Sequence, residues 1–207
     1  MRLYHFTRKE HALENIEKQR LKVATIDGLN DPFEFYINFS KSGVLLDEEK
    51  IEEIKSNYTY KMGILCFSTK KNDPVQWAHY TDNHKGICME FEIPREMLVK
   101  VEYLKEPVSV DVDQFNWPEK FVDATKSKYQ HWSYEREYRI VVDLRSEGVK
   151  EENGLYFADF SEYLRLKKVY SGLRCELSKE EREVLNNAGI QLGATRKDRN
   201  SYSILTD

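Results

Sequence analysis

The sequence predicts an α+β fold with a mixed, mainly antiparallel β-sheet core and flanking helices. Segments with strand-type patterns outnumber helical segments and alternate with them irregularly, which favours antiparallel pairing over a doubly wound parallel sheet. No glycine-rich phosphate loop follows a predicted strand, so neither a Rossmann dinucleotide site nor a P-loop is indicated. The 207 residues contain no linker, repeat or low-complexity tract, and we expect one domain over 1–207.

The N-terminal elements follow from short periodic patterns. Strands are expected over 3–6, 21–25 and 64–69, and helices over 8–16 and 47–58. Thr7 and Glu10 have the spacing of a capping box for the first helix. Asn30, Asp31 and Pro32 form a turn cluster after the second strand, and we expect Asn30 or Asp31 to bond turn amides.

A short aromatic connector lies between two predicted strands. Asp73 is placed as an N-cap, Pro74 suits the first helical position, and Gln76 has the spacing of a capping box. The resulting helical turn over 75–80 places Trp77 and Tyr80 on a shared face. The turn "TDNHKG" then leads into an alternating strand over 87–93.

The C-terminal half is predicted to be rich in strands. Short strands are expected over 99–104, 108–112, 155–160 and 166–170, and two more close the chain. Pro118 begins a helical pattern that continues to Trp132. In "YEREYRIVVDL" we expect a strand with Glu135 and Glu137 on one side. A last helix is capped by Ser178 and ends at Gly189.

Composition limits the classes of partner. The formal net charge is −4, with 32 Lys and Arg against 36 Asp and Glu, so there is no overall basic footprint for nucleic acid or an anionic membrane. Cys66, Cys88 and Cys175 stand alone without Cys/His metal spacing, which indicates a reducing compartment, no disulfide framework and no metal site. Without a signal-like region or an apolar run near the roughly 18 residues of a membrane span, we expect a cytoplasmic protein with no membrane partner.

Two glutamates have the clearest potential for chemistry. Carboxylates at Glu135 and Glu137 would lie roughly 7 Å apart on one face of a strand, where one can stabilise a developing cation and the other act as a base. Taken alone, this pattern is more often a solvated strand edge. By the same reasoning, His5 among aromatic residues, and Trp77 and Tyr80 on the connector, are more often packing residues than ligand contacts.

Seven segments in a fixed order resemble the bacterial family catalogued as domain of unknown function 2971. They are "LYHFT", "LNDPFE", "ILCFST", "QWAHYTDNHKGICMEF", "KVEYL", "KSKYQHWSYEREYRIVV" and "KKVYSGL". The resemblance spans residues 3 to about 173. Its most specific parts are residues 30–34, residues 77–86 and the block from Trp132 through Glu135 and Glu137 to Arg139.

That family is distantly similar to the ADP-ribosyltransferase superfamily, whose split β-sheet binds NAD without a Rossmann fold. Three motif positions occur there in order: a His or Arg, a Ser-Thr strand, and a Glu. The resemblance matches them to His5, to Ser68 with Thr69, and to Glu137 with Glu135 two residues before it. Lys70 stands where many members have a third hydroxyl residue.

The resemblance implies a role for each of these residues. Glu137 would stabilise an oxocarbenium-like transition state, and Glu135 would activate the acceptor. His5 would hold a ribose hydroxyl of NAD, and Ser68 would orient the glutamate. The resemblance also implies further NAD contacts. Trp77 or Tyr80 would stack on a planar ring, and the contact residues would be Thr69, Trp77, Tyr80 and Arg139.

Several functions therefore stay open at the level of sequence. The first is a NAD-dependent ADP-ribosyltransferase-like enzyme in a toxin or phage-defence context, with NAD as substrate and a protein or nucleic acid as acceptor. A non-catalytic nucleotide-sensing or protein-interaction module would keep the aromatic wall but needs no ionised carboxylate. A nuclease or other hydrolase working through His5 and the glutamates, and a purely structural role, are the remaining alternatives.

Overall fold

A computed structural model describes residues 1–59, 61–114, 119, 123 and 125–207. The α-helices within these ranges are α1 (Lys9–Glu17), α2 (Glu48–Thr59), α3 (Pro74–Tyr80) and α4 (Lys179–Asn187). The strands are β1 (Arg2–Thr7), β2 (Arg20–Thr25), β3 (Ile37–Lys41), β4 (Val44–Leu45), β5 (Met62–Ser68), β6 (Ile87–Glu92), β7 (Val99–Lys100), β8 (Glu102–Leu104), β9 (Val108–Asp111), β10 (Ser127–Tyr129), β11 (Glu137–Asp143), β12 (Val149–Glu152), β13 (Leu155–Asp159), β14 (Arg165–Ser171), β15 (Gln191–Gly193), β16 (Thr195–Lys197) and β17 (Ile204–Thr206). Short 3₁₀ helices occupy Ile26–Gly28, Arg95–Met97 and Gln130–Glu135.

One large sheet dominates the described structure. Its strands run in the order β12-β13-β2-β5-β1-β6-β14-β15, and β11 joins at β5 and carries β7. The pairs are antiparallel except for β14 with β15. Smaller sheets form from β4-β3-β9, β8-β10 and β16-β17. The predicted α+β fold with a mixed, mainly antiparallel sheet is therefore confirmed.

Strand β5 is the branch point of the main sheet. On one edge β11 pairs along its length, from Glu137 opposite Ser68 to Asp143 opposite Met62. On the other edge β1 attaches near the end of β5, and β2 attaches nearer its beginning. Because a strand has only two edges, β1 and β2 share one of them and the sheet opens between them. Strands β1, β5 and β11 therefore lie side by side in one sheet.

The main core lies between this sheet and the helices α1 and α4. Strand β6 is buried from Ile87 to Phe91 because β1 and β14 flank it on both sides. Helix α1 contributes Ala12 and Ile16 to the core, and α4 contributes Leu185. This burial of apolar side chains supplies the main driving force for folding and makes the sheet a firm support for polar groups at its edge.

Two predicted capping boxes are wrong. Thr7 stays in β1, where it pairs with Ile87, so Arg8 is the N-cap of α1 and has no side-chain capping bond. The Gln76 side chain does not bond the N-cap backbone of α3; its amide donates to the carbonyl of Tyr134 instead. In both cases a tertiary contact replaces the local bond that the spacing predicted.

Other predicted caps and turns are confirmed. Asp73 Oδ1 accepts the Val75 N–H at 2.9 Å and begins α3. Ser178 forms a complete capping box for α4, and Gly189 follows that helix with a φ of +66°, a backbone conformation that glycine adopts without strain. Asp31 Oδ1 accepts the Phe33 N–H at 2.9 Å, as expected for a turn carboxylate.

The segment before β11 differs from the prediction. Residues 115–118, 120–122 and 124, where the predicted helix begins, lie outside the described residues. Further along, 127–129 is strand β10 and 130–135 is a 3₁₀ helix, so the helical pattern does not extend to Trp132. Glu135 ends that 3₁₀ helix, and Arg136 has a left-handed φ of 49°. Strand alternation therefore begins only at Glu137.

Among the described residues, no helix combines the length and the apolar character needed to cross a bilayer.

Candidate functional site

A small cavity lies where β1, β5 and β11 are side by side. Tyr4 and Glu137 both pair with Ser68, one on each edge of β5, and His5 follows Tyr4 in β1. The cavity has a volume of about 90 Å³. The polar residues on its wall are Tyr4, His5, Asn30, Glu34, Ser68, Gln76, Tyr80, Lys128, Glu135 and Glu137. The register of the sheet thus brings His5, Ser68 and Glu137 together, and the 3₁₀ helix before β11 adds Glu135.

Three carboxylates converge on one ammonium group in the wall of this cavity. The Lys128 Nζ atom lies 2.6 Å from Glu135, 2.8 Å from Glu34 and 3.3 Å from Glu137. The most exposed of these four side chains, Glu135, has only 7% of its surface accessible. Burial lowers the pKa of Lys128, but the three carboxylates outweigh it and hold the pKa above the ordinary lysine value.

Arg139 is the second cation of this group. Its Nε lies 2.7 Å from Glu137, its Nη2 lies 2.8 Å from Glu34, and its Nη1 donates to the Thr125 carbonyl at 2.9 Å. The guanidinium is completely buried and lies behind the carboxylates, outside the cavity wall. Arg139 therefore supports the glutamates and does not line the cavity, and its role in NAD binding stays a prediction.

The two candidate carboxylates differ in acidity. Burial raises the pKa of Glu137, but Arg139 and then Lys128 outweigh that effect, and its pKa lies below the ordinary value. Burial dominates at Glu135 and raises its pKa despite the attraction of Lys128. Neighbouring carboxylates whose pKa values are pushed apart can take separate roles, one as a fixed negative charge and one as a proton carrier.

Tyr80 connects the aromatic connector to the carboxylates. Its hydroxyl donates a short hydrogen bond to Glu135, and it accepts from the Asn30 amide at 3.3 Å. Burial, followed by the negative charge of Glu135, raises the pKa of this phenol. It therefore stays protonated and remains a donor to Glu135 at neutral pH.

His5 is held in one tautomer by the backbone of β5. Its Nδ1 lies 3.0 Å from the carbonyl oxygen of Cys66, which can only accept, so Nδ1 carries the proton and Nε2 is the acceptor. Burial lowers the pKa of His5 below its ordinary value. A neutral imidazole with an acceptor nitrogen suits the hydroxyl contact that the resemblance assigns to it.

Ser68 and Thr69 act on the backbone before β11. Ser68 Oγ donates to the Glu135 carbonyl at 2.6 Å and accepts the Lys70 N–H at 3.0 Å. It therefore fixes the main chain of Glu135 and does not contact the Glu137 carboxylate. Thr69 lies outside the cavity wall, and its N–H donates to the Arg136 carbonyl at 3.3 Å. Ser68 thus positions the main chain of Glu135, and the NAD contact of Thr69 stays a prediction.

Trp77 belongs to the core and not to a ligand wall. Its side chain is fully buried and packs edge-on against Phe6, with ring centroids 5.2 Å apart. Its Nε1 donates to the Lys71 carbonyl at 2.7 Å. The helical spacing that put Trp77 on a face with Tyr80 misled the prediction, because the apolar ring turns into the sheet while the phenol reaches the cavity.

We expect Trp77→Phe to lower the free energy of unfolding by about 1–3 kcal/mol, since it leaves the Lys71 carbonyl without its donor and a gap beside Phe6. Urea denaturation measures this loss. Nucleotide affinity should stay unchanged. If the variant is stable but no longer binds nucleotide, Trp77 belongs to the site.

Four aromatic side chains form a wall beside the cavity. His79 makes edge contacts with the rings of Tyr80, Trp132 and Tyr134, with centroids about 6 Å apart. The His79 Nδ1 atom and the Tyr134 hydroxyl are 2.8 Å apart. Lys128 Nζ lies 4.9 Å from the centre of the Trp132 ring. A cluster of His79, Trp132 and Tyr134 therefore adjoins Tyr80, without Trp77.

Sequence reasoning missed Glu34 and Lys128. In the sequence Glu34 stands out only as part of the motif at residues 30–34, yet it contacts both buried cations. For Lys128 the sequence predicts only a place in the helical pattern from Pro118 to Trp132. Charged residues inside aromatic segments were the available signal, since such segments tend to be buried and a buried charge needs a partner.

Two larger spaces adjoin the cavity. One has a volume of about 380 Å³, shares Lys128 with the cavity and is lined by aromatic rings that include Phe33, Tyr36 and Tyr129. The other is a cleft of about 590 Å³ that shares His5 and Tyr80 with the cavity. A ligand much larger than the cavity therefore has room to extend from it.

Comparison with family models, curated proteins and solved structures finds no match to this chain. Within the part of the chain that the structure describes, no three His, Cys, Asp or Glu side chains are arranged to hold a metal ion.

Proposed function

We propose that the chain is an ADP-ribosyltransferase-like enzyme that consumes NAD, within the family that its motifs resemble. The observation that carries this proposal is the alignment of His5, Ser68 and Glu137 on three neighbouring strands at one cavity. These residues are far apart in the chain and occur in the order of the superfamily motif. Their meeting at one site is what a shared chemical role requires.

The reaction would break the bond between C1′ of the ribose and the ring nitrogen of nicotinamide. The bonding electron pair leaves with the ring, which becomes neutral, and positive charge develops on the ribose. Glu137 supplies a fixed negative charge for this cation, because its lowered pKa keeps it ionised. Glu135, whose pKa is raised, would accept a proton from the acceptor nucleophile as that atom bonds C1′.

One observation favours a second candidate, a non-catalytic nucleotide-binding module. The Lys128 ammonium lies among the three carboxylates, where it already neutralises much of their charge. A carboxylate paired in this way attracts a developing cation less strongly. In the enzyme, Lys128 would have to move or share these carboxylates with the substrate; in a binding module it would stay.

The two candidates separate in one experiment. The full chain is incubated with NAD, bound NAD is measured by calorimetry, and free nicotinamide is measured by chromatography. The enzyme should bind NAD and release nicotinamide in proportion to protein and time. Binding of NAD without any nicotinamide release would reject the transferase and support the binding module.

Tyr80→Phe should move the acid limb of the pH profile for transfer upward by about one to two pH units. The change removes the hydrogen bond that lowers the pKa of Glu135, a bond to a charged group worth about 1.5–3 kcal/mol. Because Glu135 must be ionised to act as a base, a higher pKa delays activity to higher pH. Tyr134→Phe is the matched control, since that hydroxyl bonds His79 and not the carboxylate. If the pH profile of Tyr80→Phe is unchanged, Glu135 is not the base.

A further inference from the structure

The cleft of about 590 Å³ lies where the main sheet splits. Its walls come from the end of β1, from α1, from β2 and from the turn between β12 and β13. His5, Phe6 and Tyr80 line both the cleft and the carboxylate cavity. The two spaces therefore meet at the residues that the proposed reaction places beside the substrate.

The cleft is positively charged although the chain is acidic. Its walls carry four Lys and Arg residues against two glutamates, while the whole chain has a net charge of −4. Glu14 and Glu152 are already paired with Lys18 and Arg20. Within the described part of the chain, Arg8 and Lys22 have no recorded ion pair and are exposed. The excess positive charge is therefore open to an anion.

Two further features add to this charge. Arg20 is only 4% exposed and lies over the ring of Phe157, 3.6 Å from its centre, yet its Nε has no hydrogen-bond partner. Helix α1 begins at the cleft, and its N-cap, Arg8, provides no side-chain acceptor for the first free N–H groups. A helix N-terminus of this kind, next to arginine, favours phosphate oxygens.

We infer that this cleft binds the phosphate groups of the substrate, an inference that rests on the proposed function. The carboxylate cavity of about 90 Å³ holds only a fragment of a nucleotide, whereas 590 Å³ lies within the usual range of small-molecule sites. The reacting end enters the cavity past His5 and Tyr80, and the phosphates lie against Arg8, Arg20 and Lys22. The enzyme would thereby select nucleotides that carry phosphates over the bare nucleoside.

The test measures binding without catalysis. ADP and inorganic pyrophosphate are titrated by calorimetry into the wild-type chain, into Lys22→Glu and into Lys100→Glu. Lys22 is exposed on β2, so its reversal should leave the fold intact, and Lys100→Glu makes the same charge change on β7, outside the cleft. We expect Lys22→Glu to weaken ADP binding at least about tenfold and Lys100→Glu to leave it within about twofold of wild type.

Failure of this inference and failure of the proposed function are distinguishable. Equal ADP affinity in Lys22→Glu and Lys100→Glu, or no ADP binding at all, overturns the cleft assignment. Cleavage of nicotinamide riboside as efficient as that of NAD also overturns it while leaving the enzyme in place. ADP binding that depends on Lys22 without nicotinamide release supports the cleft and rejects the enzyme. If single-stranded DNA binds in a way that depends on Lys22 and ADP does not bind, the ligand of the cleft is a nucleic-acid backbone and not a nucleotide.

Discussion

Glu137→Gln should reduce the rate of nicotinamide release by about a hundredfold or more. The substitution keeps the size of the side chain and one acceptor oxygen for its cationic partners, but it removes the charge that faces the developing cation. Loss of one preorganised electrostatic contact has an effect of this size. Single-turnover assays with saturating NAD measure the rate, and NAD affinity is measured separately by calorimetry.

The same variant should also be less stable, by about 1–3 kcal/mol. On sequence alone Glu137 could have been a solvated strand edge, where the change would cost about 0.5 kcal/mol or less. The structure overturns that alternative, since Glu137 is 4% exposed and paired with Arg139. The loss stays moderate because Glu34 remains as a partner for Arg139 and Lys128.

Glu34→Gln is the matched control for this effect. Glu34 contacts the same two cations as Glu137, so its loss should lower the free energy of unfolding by a similar amount. Nicotinamide release should then stay within about tenfold of wild type. If both variants lose activity equally, the lost stability and not the charge at Glu137 explains the result.

Glu135→Gln separates the roles of the two glutamates. An acceptor base is needed for transfer to a nucleophile but not for breaking the glycosidic bond. We therefore expect Glu135→Gln to abolish transfer while NAD hydrolysis persists. If Glu135→Gln and Glu137→Gln both release nicotinamide at the wild-type rate, the enzyme is rejected and the binding module is favoured.

The strands of the main sheet were predictable because their signal is local. β1, β5 and β11 each carry a short run of apolar and β-branched residues, and such runs need partners to be stable. Their adjacency placed His5 beside Ser68 and Glu137. The fold class was therefore accessible from the sequence, whereas the meeting of these three residues was implied only by the resemblance and depends on the register of the assembled sheet.

The charge cluster was not accessible in the same way. Glu34 and Arg139 are 105 residues apart in the chain, and nothing in the local pattern of either names the other. Buried ion pairs form only where tertiary packing removes water and brings opposite charges together. The sequence could indicate that charged residues lie among aromatic ones, but only the assembled sheet shows which charges meet.

The path of the chain before β11 was missed for a related reason. A strand pattern with Glu135 and Glu137 on one face is a local rule, yet Arg136 adopts a left-handed conformation and Glu135 belongs to a 3₁₀ helix. The bond from Ser68 Oγ to the Glu135 carbonyl contributes to that geometry. The two carboxylates therefore come together through a tertiary contact and not through strand alternation.

Lys128→Met should be the most destabilising single change in this site, lowering the free energy of unfolding at pH 7 by about 3–5 kcal/mol. Methionine has a similar volume but no charge, so three buried carboxylates would face Arg139 alone. Removing one partner of a buried ion pair leaves uncompensated charge, which has a cost of this order. Lys126→Met is the matched control, because Lys126 is paired with Asp123 at the surface and should change stability by about 0.5 kcal/mol or less.

The deficit of Lys128→Met should shrink as the pH falls from 8 towards 5. Without Lys128, burial and mutual repulsion raise the folded-state pKa of a carboxylate in the cluster above its unfolded value. A group of that kind lets the folded state bind more protons, so its stability is present at low pH and is lost as the pH rises through the raised pKa. Urea denaturation of the wild type and of both lysine variants at several pH values measures the trend. A deficit below about 1 kcal/mol, or one that does not change with pH, would mean that the three carboxylates do not depend on the Lys128 charge. Neutralisation of the carboxylates by Lys128 would then no longer argue against catalysis.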